Sequence, residues 1–268
     1  MKNELNCVVT QIIQVSPSMK IFRIAPQGWE LPDFEAGQFV ALYLPGSANR
    51  CNEATEEFKK SEPDKMIKRA YSIASSSKNK EFIEFYITLV RSGSLTPRLF
   101  DLQIGDKVGM GNRFVGMFTL SQVPVEKNVI LIATGTGVAP YMSMLRTDAL
   151  ASGRKITVIH GAANSWDLGY KSELTLLEAV TDKFKYVPTI TNPDKEPVKW
   201  NGEVDFIEQL LMKNIVEKTA GYKPTPENTS VFICGNPNMI KSTVEVLEKE
   251  GFIEHSRKTS GQIHIEKF

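Results

Sequence analysis

The chain changes its grammar near residue 125, and that change limits what it can fold into. From Cys7 to about Leu120 the apolar runs are short, rich in β-branched and aromatic residues, and parted by Gly, Pro and Asp turns: VVTQII, KIFRIA, QFVALYL, AYSIAS, FIEFYITLV and KVGMG. Such runs predict antiparallel strands closing into a barrel or sandwich, interrupted where Gly93-Ser94-Leu95-Thr96 runs into a short helix at Pro97. Beyond Val125 the strands NVILIA, KITVIHGA, KFKYVPTI and SVFICG alternate with helices over PYMSMLRTDAL, KSELTLLEAV, VDFIEQLLMKNI and NMIKSTVEVLEKEG. Strands alternating with helices predict a parallel, doubly wound sheet. The 268 residues suffice for two domains of roughly 100 to 150 residues each. The expected fold is thus all-β plus α/β: an antiparallel β-barrel over 1–122, then a doubly wound nucleotide-binding domain over 123–268.

Charge and cysteine usage narrow the function classes. A net charge of +1 lacks the electrostatic footprint of a general nucleic-acid binder. The opening MKNELNCVVTQIIQ alternates as a strand does rather than forming the apolar core of a signal peptide, and no run approaches the roughly 18 apolar residues of a membrane span. Cys7, Cys51 and Cys234 form no CxxC pair, which argues against a structural metal and for a reducing, cytoplasmic setting. Three scattered cysteines also cannot ligate an iron–sulfur cluster that needs four. A monomer is expected. The charged insert from Gly46 to Lys68, containing NEATEEFKKSEPDK, reads as a solvated loop between strands.

Four segments carry candidate chemistry. Thr134-Gly135-Thr136-Gly137-Val138-Ala139-Pro140 lies between a strand and a helix at the carboxyl edge of the first parallel strand. There a glycine turn lets backbone approach an anionic pyrophosphate, although such a turn also serves as plain connection geometry. Cys234-Gly235-Asn236-Pro237-Asn238-Met239 repeats the strand–turn–helix arrangement; a cysteine closing a core strand is commonly just a small hydrophobe. In Arg69-Ala70-Tyr71-Ser72 a cation suits a phosphate, an aromatic offers a flat face and a hydroxyl can donate to a ring heteroatom, while an ordinary exposed strand edge would explain the same residues. Gly93-Ser94-Leu95-Thr96 is either a second anion site or a simple helix cap.

In order along the chain, RAYSIAS at 69–75, GSLTPRLF at 93–100, ATGTGVAPYMSML at 133–145, CGNPNM at 234–239 and the terminal Phe268 resemble the ferredoxin or flavodoxin NADP reductases, in particular their bacterial branch. The resemblance covers nearly the whole chain. It implies that the barrel holds FAD, that the α/β domain holds NADP or NAD, and that ferredoxin or flavodoxin is the transient partner. By that resemblance Arg69, Ala70 and the Gly93, Ser94, Leu95, Thr96 turn hold the FAD phosphates, and Tyr71 and Tyr86 line the flavin and its ribityl chain. It also places Ser72 near flavin N5, brings Thr136 to both flavin and nicotinamide, and brings Cys234 to the nicotinamide. Phe268, on a tail returning to the flavin, covers the face the nicotinamide must reach; Ser72, Cys234 and Phe268 are the implied catalytic set. The nucleotide contacts implied are Gly135, Thr136, Gly137, Val138, Pro140, Ala163, Asn192, Glu203, Cys234, Gly235, Asn236, Pro237 and Met239. Glu266 reads as a solvated carboxylate rather than a proton relay.

The chain departs from this pattern at Ala163, Asn192 and Glu203, where family members often carry arginines around the 2′-phosphate of NADP. Loss of charge at two of these positions and its reversal at the third predict that NADH serves at least as well as NADPH, unless Lys195, Lys199 or Arg154 supplies the missing charge. Two other readings stand at this point. One is a flavin reductase or oxygenase reductase component; the other is a non-catalytic flavoprotein subunit of a redox complex.

Overall fold

The computed structural model describes residues 4–267, and Phe268 lies outside them. The chain forms two compact units: Met1–Thr119 with Ala139–Thr147, and Leu120–Val138 with Asp148–Phe268. The segment Ala139–Thr147 thus belongs to the first unit although it follows the glycine turn in sequence.

The first unit is a six-stranded antiparallel sheet of β1 (Cys7–Ser16), β2 (Met19–Pro26), β3 (Phe39–Pro45), β4 (Met66–Ser72), β5 (Ile83–Thr88) and β6 (Lys107–Met110), in the order β4-β3-β6-β1-β2-β5. Alternation decides which side chains fill it. Ile83, Phe85 and Ile87 of β5 join Phe22, Ile24, Val40, Leu42 and Val108 in one buried cluster, and each such side chain contributes about 1.5–3 kcal/mol. The other face of β5 carries Glu84, buried between two cations: Arg23 Nε lies at 2.7 Å and Arg146 Nη1 at 2.6 Å. Arg146 also donates to Ala74 O at 2.9 Å, and Ala74 N donates to Glu84 O at 2.8 Å. The two edge strands are therefore joined where β4 has just ended. Helix α1 (Thr96–Asp101) follows the Gly93–Thr96 turn, and α2 (Ala139–Met144), buried throughout, sets Tyr141 6.0 Å from Phe118.

The insert is not a free solvated loop. Arg50 donates to Thr55 O, Arg91 O and Gly93 O. Buried Arg98 of α1 pairs with Glu57, and donates to Ser94 O at 2.5 Å and to Gly46 O at 2.6 Å. A run of charges reads as solvated only until its counter-charges are known. The last insert residues, Met66 to Lys68, already belong to β4.

The second unit is a six-stranded parallel sheet of β7 (Asn128–Thr134), β8 (Ile156–Ala162), β9 (Phe184–Ile190), β10 (Glu203–Val204), β11 (Thr229–Gly235) and β12 (Ile263–Lys267), ordered β10-β9-β8-β7-β11-β12. Its helices are α3 (Lys171–Val180), α4 (Ile207–Met212), α5 (Ile215–Ala220) and α6 (Pro237–Lys249). Two expectations are corrected. The helix read over Val204–Ile215 begins after a short strand and breaks at Asn214, whose φ of 58° is left-handed and ends α4 before α5 starts. The C-terminal stretch is not merely a tail, because Ile263–Lys267 pairs with β11 along its length.

Removing the Glu84 carboxylate takes an ion-pair partner away from Arg146, which is only 21% exposed. Glu84→Ala is expected to lower stability by about 3 kcal/mol, the low end for a broken buried pair because Arg23 is partly solvated. Urea unfolding of the two proteins, followed by circular dichroism, measures the difference.

Candidate functional site

Each unit carries one part of the site. In the first, β4 and β5 are the two edges of the sheet, so β4 offers an unpaired flank to an extended ligand. Arg69 is exposed there, its guanidinium folded back on Lys68 O at 2.7 Å; Ala70 beside it is also exposed. Tyr71 sits edge-on to Phe85, with ring centroids 6.4 Å apart and planes at 74°. Burial holds its hydroxyl protonated by pushing the pKa well above the ordinary tyrosine range, against the pull of Arg69. Ser72 is buried at the end of β4, opposite Phe39. Tyr86 is buried on the face of β5 that carries Glu84, and its hydroxyl reaches Met19 Sδ at 3.0 Å.

The Gly93–Thr96 turn is shaped by its neighbours. Thr96 Oγ1 accepts from Val90 N at 2.9 Å and donates to Val90 O at 3.2 Å, so this hydroxyl organises the turn. Leu95 is buried in the barrel core, which leaves its backbone rather than its side chain for any ligand. The backbone N–H groups of Ser94 and Leu95 have no acceptor among the described residues. With the exposed Arg69 guanidinium, this donor set fits a pyrophosphate.

In the second unit the chain enters the sheet at β7, works outward to β10 and returns on the other side of β7 as β11. The strand order reverses between β7 and β11, and the crevice at the carboxyl ends of such strands is where open α/β sheets bind ligands. Both glycine turns lie at that point. The Gly135–Val138 turn packs so closely on β11 that a Cβ at Gly137 would fall 2.3 Å from Cys234 O. Gly235 has φ +136°, and a Cβ there would meet Thr134 Oγ1 at 2.3 Å. Thr134 Oγ1 accepts from Asn236 N at 2.9 Å, and Asn236 Oδ1 caps α6 by accepting from Asn238 N at 2.8 Å. Pro237 occupies the first turn of α6, where its missing N–H costs nothing, and Met239 packs into the core below. Pro140 lies buried in α2, and Thr136 at the tip of the turn is half-buried.

Cys234 is fully buried, and its thiol is held protonated, first by burial and then by Glu266, whose Oε2 lies 3.9 Å from Sγ. Glu266 is in register with Cys234 across β11 and β12. It therefore stands beside the candidate residue instead of in solvent, and the alternation in QIHIEK was the signal for the strand that puts it there. Buried His160 was also missed. Its Nε2 lies 2.9 Å from Gly135 O and its Nδ1 3.4 Å from the Tyr186 hydroxyl, which fits Nε2–H donating to the turn and Nδ1 accepting from Tyr186. Burial lowers the His160 pKa to about 4, despite the opposing bond to Gly135.

Ala163, Asn192 and Glu203 lie at the carboxyl edge of β8, β9 and β10. Asn192 N donates to Ala163 O at 2.9 Å, and Glu203 is exposed on β10 in register with Thr189. Lys195 and Lys199 are exposed in the segment leading to β10. Arg154 is ruled out as a substitute, because it precedes β8 at the opposite, amino edge and reaches towards Val123 O.

Comparison with known proteins agrees with this division. Residues 6–112 match the oxidoreductase FAD-binding domain and residues 131–245 the oxidoreductase NAD-binding domain. The flavodoxin/ferredoxin–NADP reductase of Buchnera aphidicola subsp. Baizongia pistaciae is 33% identical over 206 residues, which is 76% of this chain and 81% of that relative. The chain belongs to the flavodoxin/ferredoxin–NADP reductase family. A reductase of that name from Escherichia coli (strain K12) is 30% identical over 211 residues, 78% of this chain and 77% of that one. Among solved structures, a ferredoxin NADP+ reductase from Neisseria gonorrhoeae with bound FAD and NADP aligns at TM-score 0.78 and 26% identity, over 98% of this chain and 97% of that chain. As in this family, the barrel unit is an FAD-binding domain and the parallel-sheet unit an NAD-binding domain of an oxidoreductase.

Two measurements check this geometry. Gly137→Ala must push the turn away from β11, and a displacement of that order is expected to weaken nucleotide turnover about 100-fold in kcat/KM while FAD content, read from the absorbance spectrum, is unchanged. His160 binds a proton in the unfolded chain at about 6.5 but in the folded one only near 4. Stability should therefore be lost as pH falls through that window, by up to about 3 kcal/mol. Urea unfolding of wild type and His160→Asn from pH 7 to pH 4 should show a difference that narrows towards low pH.

Proposed function

We propose that this protein moves electrons between a nicotinamide dinucleotide and ferredoxin or flavodoxin by way of FAD, and that it uses NADH at least as well as NADPH. The observation that carries the reading is the pair of interlocked turns, 134–138 and 235–238, at the switch point of the parallel sheet. Glycines there keep side chains out of a crevice that needs only backbone to receive a pyrophosphate.

When bound, FAD accepts a hydride as an electron pair and passes the electrons on singly. The protein's contribution is orientation, because the hydride donor and acceptor atoms must approach to roughly 3–3.5 Å. In this reading Arg69 and the N–H groups of Ser94 and Leu95 hold the FAD phosphates. Ala70 and Gly93 would give the ligand room, Tyr71 and Tyr86 would line the flavin and its ribityl chain, and Ser72 would offer its hydroxyl to a ring heteroatom. Gly135, Thr136, Gly137 and Val138, continuing to Pro140, hold the nucleotide from one side; Cys234, Gly235, Asn236, Pro237 and Met239 hold it from the other. The protonated Cys234 thiol offers the nicotinamide a small, uncharged neighbour, with Glu266 fixing its direction. The resemblance also implies a covering role over the flavin for Phe268, which lies outside the described residues; such a cover would let only the uncovered fraction bind nicotinamide productively.

Absence of cations at Ala163, Asn192 and Glu203 supports NADH use, since a 2′-phosphate carries up to two negative charges. The buried, unpaired state of Cys7, Cys51 and Cys234 supports a reducing compartment, the cytoplasm. No helix among the described residues is long and apolar enough to cross a membrane.

Stopped-flow reduction of the FAD-loaded protein, followed at the flavin absorbance band, tests the proposal. NADH should bleach the flavin at least as fast as NADPH. A strong preference for NADPH would remove the nucleotide assignment, and no bleaching by either would leave a non-catalytic flavoprotein. Release of free reduced flavin, in place of reduction of an added ferredoxin or flavodoxin, would instead make it a flavin reductase.

A further inference from the structure

The corner where the adenosine ribose would lie holds a carboxylate that sequence reading passed over. Ser165 follows β8 and opens a short turn, and it presents two donors, its backbone N–H and its hydroxyl. Both are taken by one side chain: Ser165 N donates to Glu196 Oε1 at 2.7 Å, and Ser165 Oγ donates to Glu196 Oε2 at 2.5 Å. Glu196 is half-buried at the end of the turn that follows Asn192. Since Asn192 N is bonded to Ala163 O, the carboxylate sits in the corner formed by two of the three positions that lack arginine.

The surroundings reinforce its sign. Asn164 Oδ1, next to Ser165, is buried and meets no donor, while Asn164 Nδ2 is turned to Asp167 Oδ2 at 3.3 Å. Glu203 adds a second carboxylate on β10. Lys171, the cation at the start of α3, lies over the Trp200 ring at 4.5 Å. The corner therefore presents acceptors, and its two well-placed donors already hold an anion.

We propose that Glu196 is a specificity-determining residue: by occupying both donors of Ser165 it fills the place a 2′-phosphate would need and leaves acceptors for a free ribose hydroxyl. The proposal rests on the reading of this unit as the nicotinamide-dinucleotide site. A phosphate entering the corner would have to displace a carboxylate already bonded twice, or lie against it charge to charge. A 2′-hydroxyl brings the proton that the carboxylate can accept.

The test is the ratio of two binding constants. NAD+ and NADP+ are titrated separately into the FAD-loaded protein by calorimetry, for wild type, Glu196→Gln and Glu196→Ser. Glu196→Gln keeps the shape and one acceptor but loses the charge. It should tighten NADP+ about tenfold relative to NAD+, a change of about 1.4 kcal/mol in the difference between them. Glu196→Ser, which also empties the space, should do at least as much, and it carries the test if the glutamine variant does not fold. Added salt should narrow the wild-type ratio, because the repulsion is screened.

An unchanged ratio in both variants would overturn the proposal. So would equal weakening of both nucleotides with a lower melting temperature, which would mark Glu196 as only a brace for the turn. The wild-type ratio reports separately on the NADH reading. If wild type prefers NADP+ and Lys195→Ala abolishes that preference while Glu196→Gln leaves it, Lys195 is the discriminating residue and Glu196 is not.

Discussion

The first unit is held shut at one carboxylate. Glu84 lies on the outward face of an edge strand, where an exposed acid would be unremarked, but Arg23 from the adjoining strand and Arg146 from the 139–147 segment both converge on it. Arg146 binds the Ala74 carbonyl as well, and the Ala74 amide returns to the Glu84 carbonyl. One residue thus joins the two edges of the sheet through its backbone and anchors a distant helical segment through its side chain. A carboxylate removed from water is favourable here because each oxygen has a guanidinium. β4, paired with β3 along its length, keeps only its outer flank open, and Arg69 and Tyr71 lie on this edge strand.

The turn that opens α1 depends on a comparable arrangement. Arg98, buried on a short helix, is held by Glu57 and by the Ser94 and Gly46 carbonyls, and Arg50 adds bonds to Arg91 and Gly93. The insert supplies Arg50 and Glu57, so a segment of loop composition shapes the turn whose free N–H groups suit a phosphate. In the second unit a steric constraint does similar work. Gly137 and Gly235 let the turns after β7 and β11 approach until only hydrogen atoms fit between the chains, and the Thr134 hydroxyl then bonds the Asn236 amide. His160 fixes the same turn from below through Gly135.

The corner at Ser165 follows a different logic. At the glycine turns the protein keeps side chains away and brings backbone to the crevice. At the Ser165 corner, by contrast, donors are present but engaged by Glu196. The corner thus has no cation at Ala163, Asn192 or Glu203, and the donors of Ser165 are engaged from within the chain.

Periodicity and turn chemistry determined the architecture from the sequence alone. Alternation of two gave the barrel strands, the longer helical period gave α3 and α6, and the glycine turns marked the crevice, because each is a local property of neighbouring residues. The RAYS, GSLT, TGTG and CGNP segments were legible for the same reason. The break at Asn214 was not, since the apolar pattern of VDFIEQLLMKNI runs through it while a single left-handed residue ends the helix. Nor were the partners of the charges. Glu84 meets Arg146 from 62 residues away, Glu57 meets Arg98 from 41, and Glu196 meets Ser165 from 31. Composition records that these charges exist. Only the folded chain decides which of them meet, because an ion pair or hydrogen bond requires atoms within about 3 Å, and that proximity is set by strand order and loop path rather than by any neighbour in sequence.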